Sequence, residues 1–158
     1  MLRWSAKPWR RWKPIYSNGI RLTRSVLRWK VELVLRLLPI FQKQQYGRIL
    51  FLESQSVKQP IPSLVLSNSF RAGVVGFAKT LALEIAKMGI TVNVLAPGSH
   101  ETPAIERVIQ KRSEDSGKSQ EEMRRKLAED IPVGRMGKAE EFASLATWLL
   151  SPLSGYVT

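Results

Sequence analysis

The joint at Gly89 constrains this chain more than any other feature. Upstream, Phe70, Val74, Phe77, Leu81, Ile85 and Met88 recur at helical spacing along Ser67 to Met88, which predicts a long helix with one core-facing stripe. Downstream, with no linker at all, Ile90-Thr-Val-Asn-Val-Leu95 is an apolar, β-branched run of strand length, closed by Ala96-Pro97-Gly98. Glycine ends a helix in a left-handed turn without steric cost, so it is the residue that permits so abrupt a change. An earlier apolar run, Gly47-Arg-Ile-Leu-Phe-Leu52, reads as a second strand buried on both faces, as parallel sheets require. Between them Val57 to Ser63 carries Pro60 and Pro62, which exclude helix and central strand and leave a loop. Strand, loop, helix and strand with such tight joints make a βαβ unit and an α/β fold.

The flanks follow from the same rules. Val31, Leu33, Val34, Leu37 and Leu38 fall mainly on one helical face of Val31 to Gln42, and Pro39 is expected to end or kink that helix before a polar turn at Gln42 to Gln45. On the long helix, Gly73, Gly76 and Thr80 form a second face of small residues that lets another helix come close. Beyond Gly98 the chain is polar and charged from Ser99 to Gly117. Ser119-Gln-Glu-Glu122 then has capping-box spacing, with Met123, Leu127 and Ile131 as an inner face. Pro132 to Gly137 is a turn. A last helix follows over Lys138 to Leu150, with Glu140 and Glu141 in its first turn and Phe142, Leu145 and Leu149 inward. Ser154 to Thr158 reads as the approach to a further strand.

Charge becomes informative once it is located. The net charge is +12, and residues 1–30 supply nine Lys or Arg with no acid and four of the five Trp. The rest of the chain is nearly balanced, so the basicity belongs to this segment, which is read as irregular, and not to the domain at 31–158. Such an arm could meet phosphates and stack on bases, or lie on an anionic membrane, or be an extension on a truncated gene. Neither nucleic acid nor membrane is favoured as a partner of the domain, and no run here is apolar enough to span a bilayer. With no Cys and one His there is no thiolate framework and no metal cluster, and a reducing cytoplasm is the expected compartment.

Several motifs stand together in order: Gly47-Arg-Ile with Ser54, Gly76-Phe77-Ala-Lys79, Leu81-Ala-Leu-Glu84, Gly89-Ile-Thr-Val-Asn93-Val-Leu-Ala-Pro97-Gly98, Ile131-Pro-Val-Gly-Arg135-Met-Gly and Glu140-Glu-Phe-Ala143. From Gly47 onward this succession resembles the short-chain dehydrogenase/reductase family, and within it the 3-oxoacyl-carrier-protein reductase type. The resemblance implies a partial Rossmann-like, doubly wound parallel sheet without the N-terminal nucleotide-binding βαβ half and the last strand. It also implies hydride transfer between NAD or NADP and a small-molecule carbonyl or alcohol. In the family a Ser polarises the carbonyl, a Tyr is the acid/base, and a Lys lowers the Tyr pKa and holds the ribose. The Ser falls on Ser54, with Ser56 the weaker choice, and either Ser could instead bond the turn backbone.

The acid/base pair is where the pattern departs. Counted back from Gly76-Phe77, the Tyr position holds Ser67 and the Lys position Arg71. A Ser hydroxyl is far less acidic than a phenol, and a guanidinium gives up no proton, though Arg71 can still donate to ribose hydroxyls. Tyr16, Tyr46 and Tyr156 stand elsewhere. On the cofactor side, Pro97, Gly98 and Thr102 match the turn that faces the nicotinamide, and Asn93 matches a strand Asn beside it, with a structural hydrogen bond as its alternative role. His100 reads as a loop residue. No G-x-G-x-x-G occurs in this chain, which argues against tight dinucleotide binding. Ser99 to Pro132 corresponds to the family's variable substrate lid. The expectation is a truncated oxidoreductase with a substituted catalytic pair, forming a homo-oligomer through the 67–88 helix; the alternative is a non-catalytic relative kept for assembly or interaction.

Overall fold

The structure, a computed structural model, describes residues 19–158. They divide into two units: one holds the described residues up to Ala96 together with Gly155–Thr158, and the other is Pro97–Ser154.

In the first unit a widened helical turn, Thr23–Arg28, runs without a break into helix α1, Trp29–Gln44. The irregular segment expected up to Lys30 is therefore helical over these residues; Met1 to Asn18, with Tyr16 and three of the arm's Trp, lie outside the described residues. Leu27 of the widened turn and Val34, Leu38 and Phe41 of α1 reach the core. Leu33, expected inward, is 47% exposed. Pro39 does not stop α1. It sits on the exposed side, where the carbonyl it leaves without a helical partner can turn to water. The helix instead continues through Gln42 and ends where Gln45 takes a left-handed conformation.

Strand β1, Gly47–Leu52, and strand β2, Ile90–Leu95, pair in parallel, Gly47 opposite Ile90 and Leu52 opposite Leu95. Helix α2, Val65–Ile85, is the crossover, and a single 3₁₀ turn, Ala86–Met88, carries it to Gly89 in the left-handed region. Alternation along the strands decides the core. Ile49 and Phe51 on β1, with Ile90 and Val92 on β2, meet Val74, Ala78, Leu81 and Ile85 of α2, and Phe51 stands edge-on to Phe77. The opposite face of β1 is not buried: Arg48 and Leu50 are half-exposed and Leu52 is exposed. Among the described residues β1 thus has one covered face, not the two expected. Beside β2, the Val92 N–H donates to Thr158 Oγ1 at 2.9 Å, and Asn93 Nδ2 donates to the Val157 carbonyl at 2.8 Å.

The second unit begins with a helix the sequence reading passed over. Thr102, in extended backbone, caps helix α3, Pro103–Ser116; Pro103 opens it, and Gly117 closes it in the left-handed region. Those three end signals were legible, but the charged text between them hid the helix. Ser119 caps α4, Gln120–Glu129, accepting the Glu122 N–H at 3.1 Å. Ile109, Met123 and Met136 form the buried centre of this unit, with Ile105, Leu127 and Ile131 around them. In α5, Ala139–Leu150, Leu149 is buried and Phe142 half-buried, whereas Leu145 is 48% exposed, against the expectation that it faced inward.

At the start of α5, Glu141 accepts from Arg135 through both guanidinium ends, at 2.8 and 2.6 Å, and from the Lys138 N–H at 2.7 Å. The Arg135 hydrogen bond, helped by the Lys138 amide, holds its carboxyl down from an ordinary 4.5 to about 2. A carboxylate lowered by folding stabilises the folded state above its unfolded pKa and loses that contribution as pH falls through the folded one. Helix α5 is accordingly expected to lose stability between about pH 4.5 and 2. Glu141→Gln should flatten that part of the acid-unfolding curve, as followed by circular dichroism; an unchanged curve would refute the assignment.

Candidate active site at the end of the first strand

β1 delivers two polar residues just past its C-terminal end, Glu53 and Ser54. The Glu53 N–H still donates to the Leu95 carbonyl, at 2.8 Å, so the residue is held in strand register although its side chain is charged. That side chain has no solvent exposure. A buried carboxylate needs a partner, and Glu53 has two: Lys30 Nζ on Oε1, and Arg71 Nη1 on Oε2 at 2.9 Å. Lys30 comes from α1 and Arg71 from α2, so one carboxylate ties both helices to the strand.

Arg71 is held a second time, because its Nε donates to Ser67 Oγ at 3.3 Å, one helical turn back. The two residues expected at the acid/base positions are thus joined directly, and both belong to a four-residue cluster with Glu53 and Lys30. The sequence reading missed those two. Glu53 was visible as a charge at the end of an otherwise apolar strand, but Lys30 was hidden in the basic segment.

Ser54 is placed differently. Its Oγ accepts the Ser56 N–H at 3.2 Å and opens a 3₁₀ turn, Gln55–Val57, while Ser56 is itself buried. Ser54 therefore performs the turn-bonding role named as its alternative, with its hydroxyl proton still available to donate. Asn93 uses its amide on Val157, a structural bond but one that spans sixty-four residues of sequence. Tyr46 lies under the Arg48 guanidinium, 4.5 Å from its ring centre, and Tyr156 is fully exposed.

In the second unit, Pro97, Gly98 and Thr102 lie in the turn before α3. Thr102 Oγ1 accepts the Ile105 N–H and donates to the His100 carbonyl, both at 3.4 Å, so this hydroxyl is engaged in capping. His100 is a loop residue, as expected. Its Nδ1 lies 3.2 Å from the Gly98 carbonyl, and its ring meets Phe142 edge-on at 5.4 Å. Backbone bonds from Gly137 N to Ser99 O and from Glu101 N to Gly137 O brace the turn, and a Cβ at Gly137 would stand 2.7 Å from the His100 ring. Among the described residues no group of acidic or His side chains could hold a metal ion, and no helix is long and apolar enough to cross a membrane.

Comparison with known proteins gives a consistent picture. A family model described as enoyl-(acyl carrier protein) reductase matches residues 29–158. The chain is 32% identical over 121 residues to 2,3-dihydroxy-2,3-dihydro-p-cumate dehydrogenase of Pseudomonas putida, covering 77% of this chain and 44% of that protein. It is 34% identical over 116 residues to the 3-oxoacyl-[acyl-carrier-protein] reductase FabG of Haemophilus influenzae, covering 73% and 43%. Among solved structures, L-sorbose reductase from Gluconobacter frateurii, complexed with NADPH and L-sorbose, superposes with a TM-score of 0.73 at 28% identity, covering 80% of this chain and 48% of that one. The chain spans less than half the length of each of these relatives.

Proposed function

Because the chain belongs to the short-chain dehydrogenase/reductase family, we propose that it carries the substrate-side portion of an NAD(P)-dependent oxidoreductase acting on a small-molecule carbonyl or alcohol. The observation that carries this reading is the bonded Ser67–Arg71 pair beside the C-terminal end of β1, where open parallel sheets bind their ligands.

The reduction of a carbonyl builds negative charge on its oxygen. Ser54 has a hydroxyl proton to offer such an oxygen, and the Ser67–Arg71 pair beside it supplies a fixed positive charge. Arg71 holds charge and does not pass a proton, so the alcohol proton comes from water in this reading. A nicotinamide cofactor, when bound, supplies the hydride. The residues that would meet it fit only in part: Asn93 and Thr102 are engaged in structural bonds, and the chain has no Gly-rich phosphate loop. Tight dinucleotide binding by this chain is accordingly not expected. The assembly reading of the family applies to the exposed positions Gly76 and Thr80 of α2, where a second copy would dock.

The test is NADPH oxidation followed at 340 nm with a panel of small ketones, comparing the unaltered chain with Arg71→Met. Loss of about a hundredfold in rate is expected, as for removal of one preorganised oxyanion donor. Equal rates would sink the assignment.

A further inference from the structure

We propose that the Lys30–Glu53–Arg71–Ser67 cluster is an anion site that takes the carboxylate of the substrate, so that the preferred substrates are carbonyl compounds that also carry a carboxylate. This rests on the reading above for the word substrate, but its evidence is separate.

Charge is the first ground. One carboxylate is shared by two cations, so the cluster carries a net positive charge, although Lys30 is only 11% exposed, Arg71 28% and Glu53 not at all. One counter-ion would have satisfied Glu53. A surplus charge held largely out of water is costly unless a ligand of opposite charge completes the set. The surplus is one, which matches a monoanion.

Geometry is the second. The bonds Arg71 makes use Nη1 and Nε, and among the described residues its Nη2 has no partner. Ser67 Oγ accepts from Nε and retains its own proton for donation. The Nη2 hydrogens and the Ser67 hydroxyl proton are therefore the donors left over on a guanidinium already tied at Nε and Nη1. A carboxylate has two oxygens, one for the Nη2 hydrogens and one for the Ser67 hydroxyl, and a charge-assisted bond from the guanidinium favours it over a neutral group. Position is the third ground: the cluster sits at the C-terminal end of β1, one residue from Ser54.

The test needs no cofactor and no turnover. The chain is titrated calorimetrically at low salt with pyruvate, with its neutral amide, with acetate and with inorganic phosphate, and the pyruvate titration is repeated on Arg71→Met and Ser67→Ala. Arg71→Met leaves Lys30 and Glu53 as a neutral pair, and circular dichroism confirms that each variant is folded before binding is scored. Pyruvate and acetate are expected to bind about tenfold or more tighter than the amide, with that margin lost in Arg71→Met and reduced in Ser67→Ala. Equal binding of the amide, or unchanged pyruvate binding by Arg71→Met, would overturn the proposal. So would phosphate binding as tightly as pyruvate, since the site would then be a general anion hole. Failure of the two ideas is distinguishable: turnover of neutral ketones without a carboxylate preference removes the anion site and keeps the oxidoreductase, whereas carboxylate binding without turnover does the reverse.

Discussion

Glu53→Gln should destabilise the first unit by about 3–5 kcal/mol, the cost typical of removing one partner from a buried ion pair. The amide is nearly the same size and can still accept from one of the two cations, so packing is not the cause. What changes is that Lys30 and Arg71, both mostly out of water, would face each other without the carboxylate between them. Two helices lose their common tie to β1 together. Hydrogen exchange at the amides that pair β1 with β2 reads the effect, because these ladder bonds lie beside the core of the unit. A loss of protection worth less than about 1 kcal/mol would place the cluster with ordinary surface ion pairs. The double variant Glu53→Gln, Arg71→Met removes the repulsion as well and should recover part of the loss.

Gly89→Ala is expected to be nearly as damaging, for a purely steric reason. Gly89 has φ +73°, and a Cβ there would stand 2.3 Å from the Gln45 carbonyl oxygen. That oxygen is backbone at the end of α1, so no rotamer change relieves the contact. Left-handed strain and forced displacement together cost about 2–5 kcal/mol. Chemical denaturation followed by circular dichroism checks it. A midpoint unchanged from the unaltered chain would show that the α1 terminus yields freely. The Gly47 N–H donates to the Gly89 carbonyl, at 3.4 Å, so the same displacement would also disturb the first rung of the parallel ladder.

The legible parts of the sequence were those where local chemistry and tertiary packing agree. The βαβ unit was readable because Val74, Leu81 and Ile85 have helical spacing, Ile90 and Val92 have strand spacing, and Gly89 separates the two periods. Pro39 misled because its ring breaks helices in general, whereas the cost here falls on a solvent-facing turn. Helix α3 was obscured by its polarity: only Ile109 is fully buried on it, too thin a stripe to announce itself through periodicity. At the site, Ser67 and Arg71 could be found because they lie four apart on one helix. Glu53 and Lys30 join them from two other elements, and no short-range pattern connects residues 23 apart with residues 18 apart. Folding alone brings those charges together.

The wide turn at Thr23–Arg28 bears on how the chain could self-associate. It places Leu27 against α2 so that a Cβ on Gly73 would lie 3.7 Å from the Leu27 side chain. One end of the small-residue face is therefore already in contact with the same polypeptide. A helix arriving from another molecule would compete there with a neighbour tethered at an effective concentration in the millimolar range or above. Dimerisation along the whole face would require that tether to be displaced, whereas contact at Gly76 and Thr80 would not. The strength of self-association along the whole face should thus depend on the side chain at position 27, whereas association through Gly76 and Thr80 alone should not.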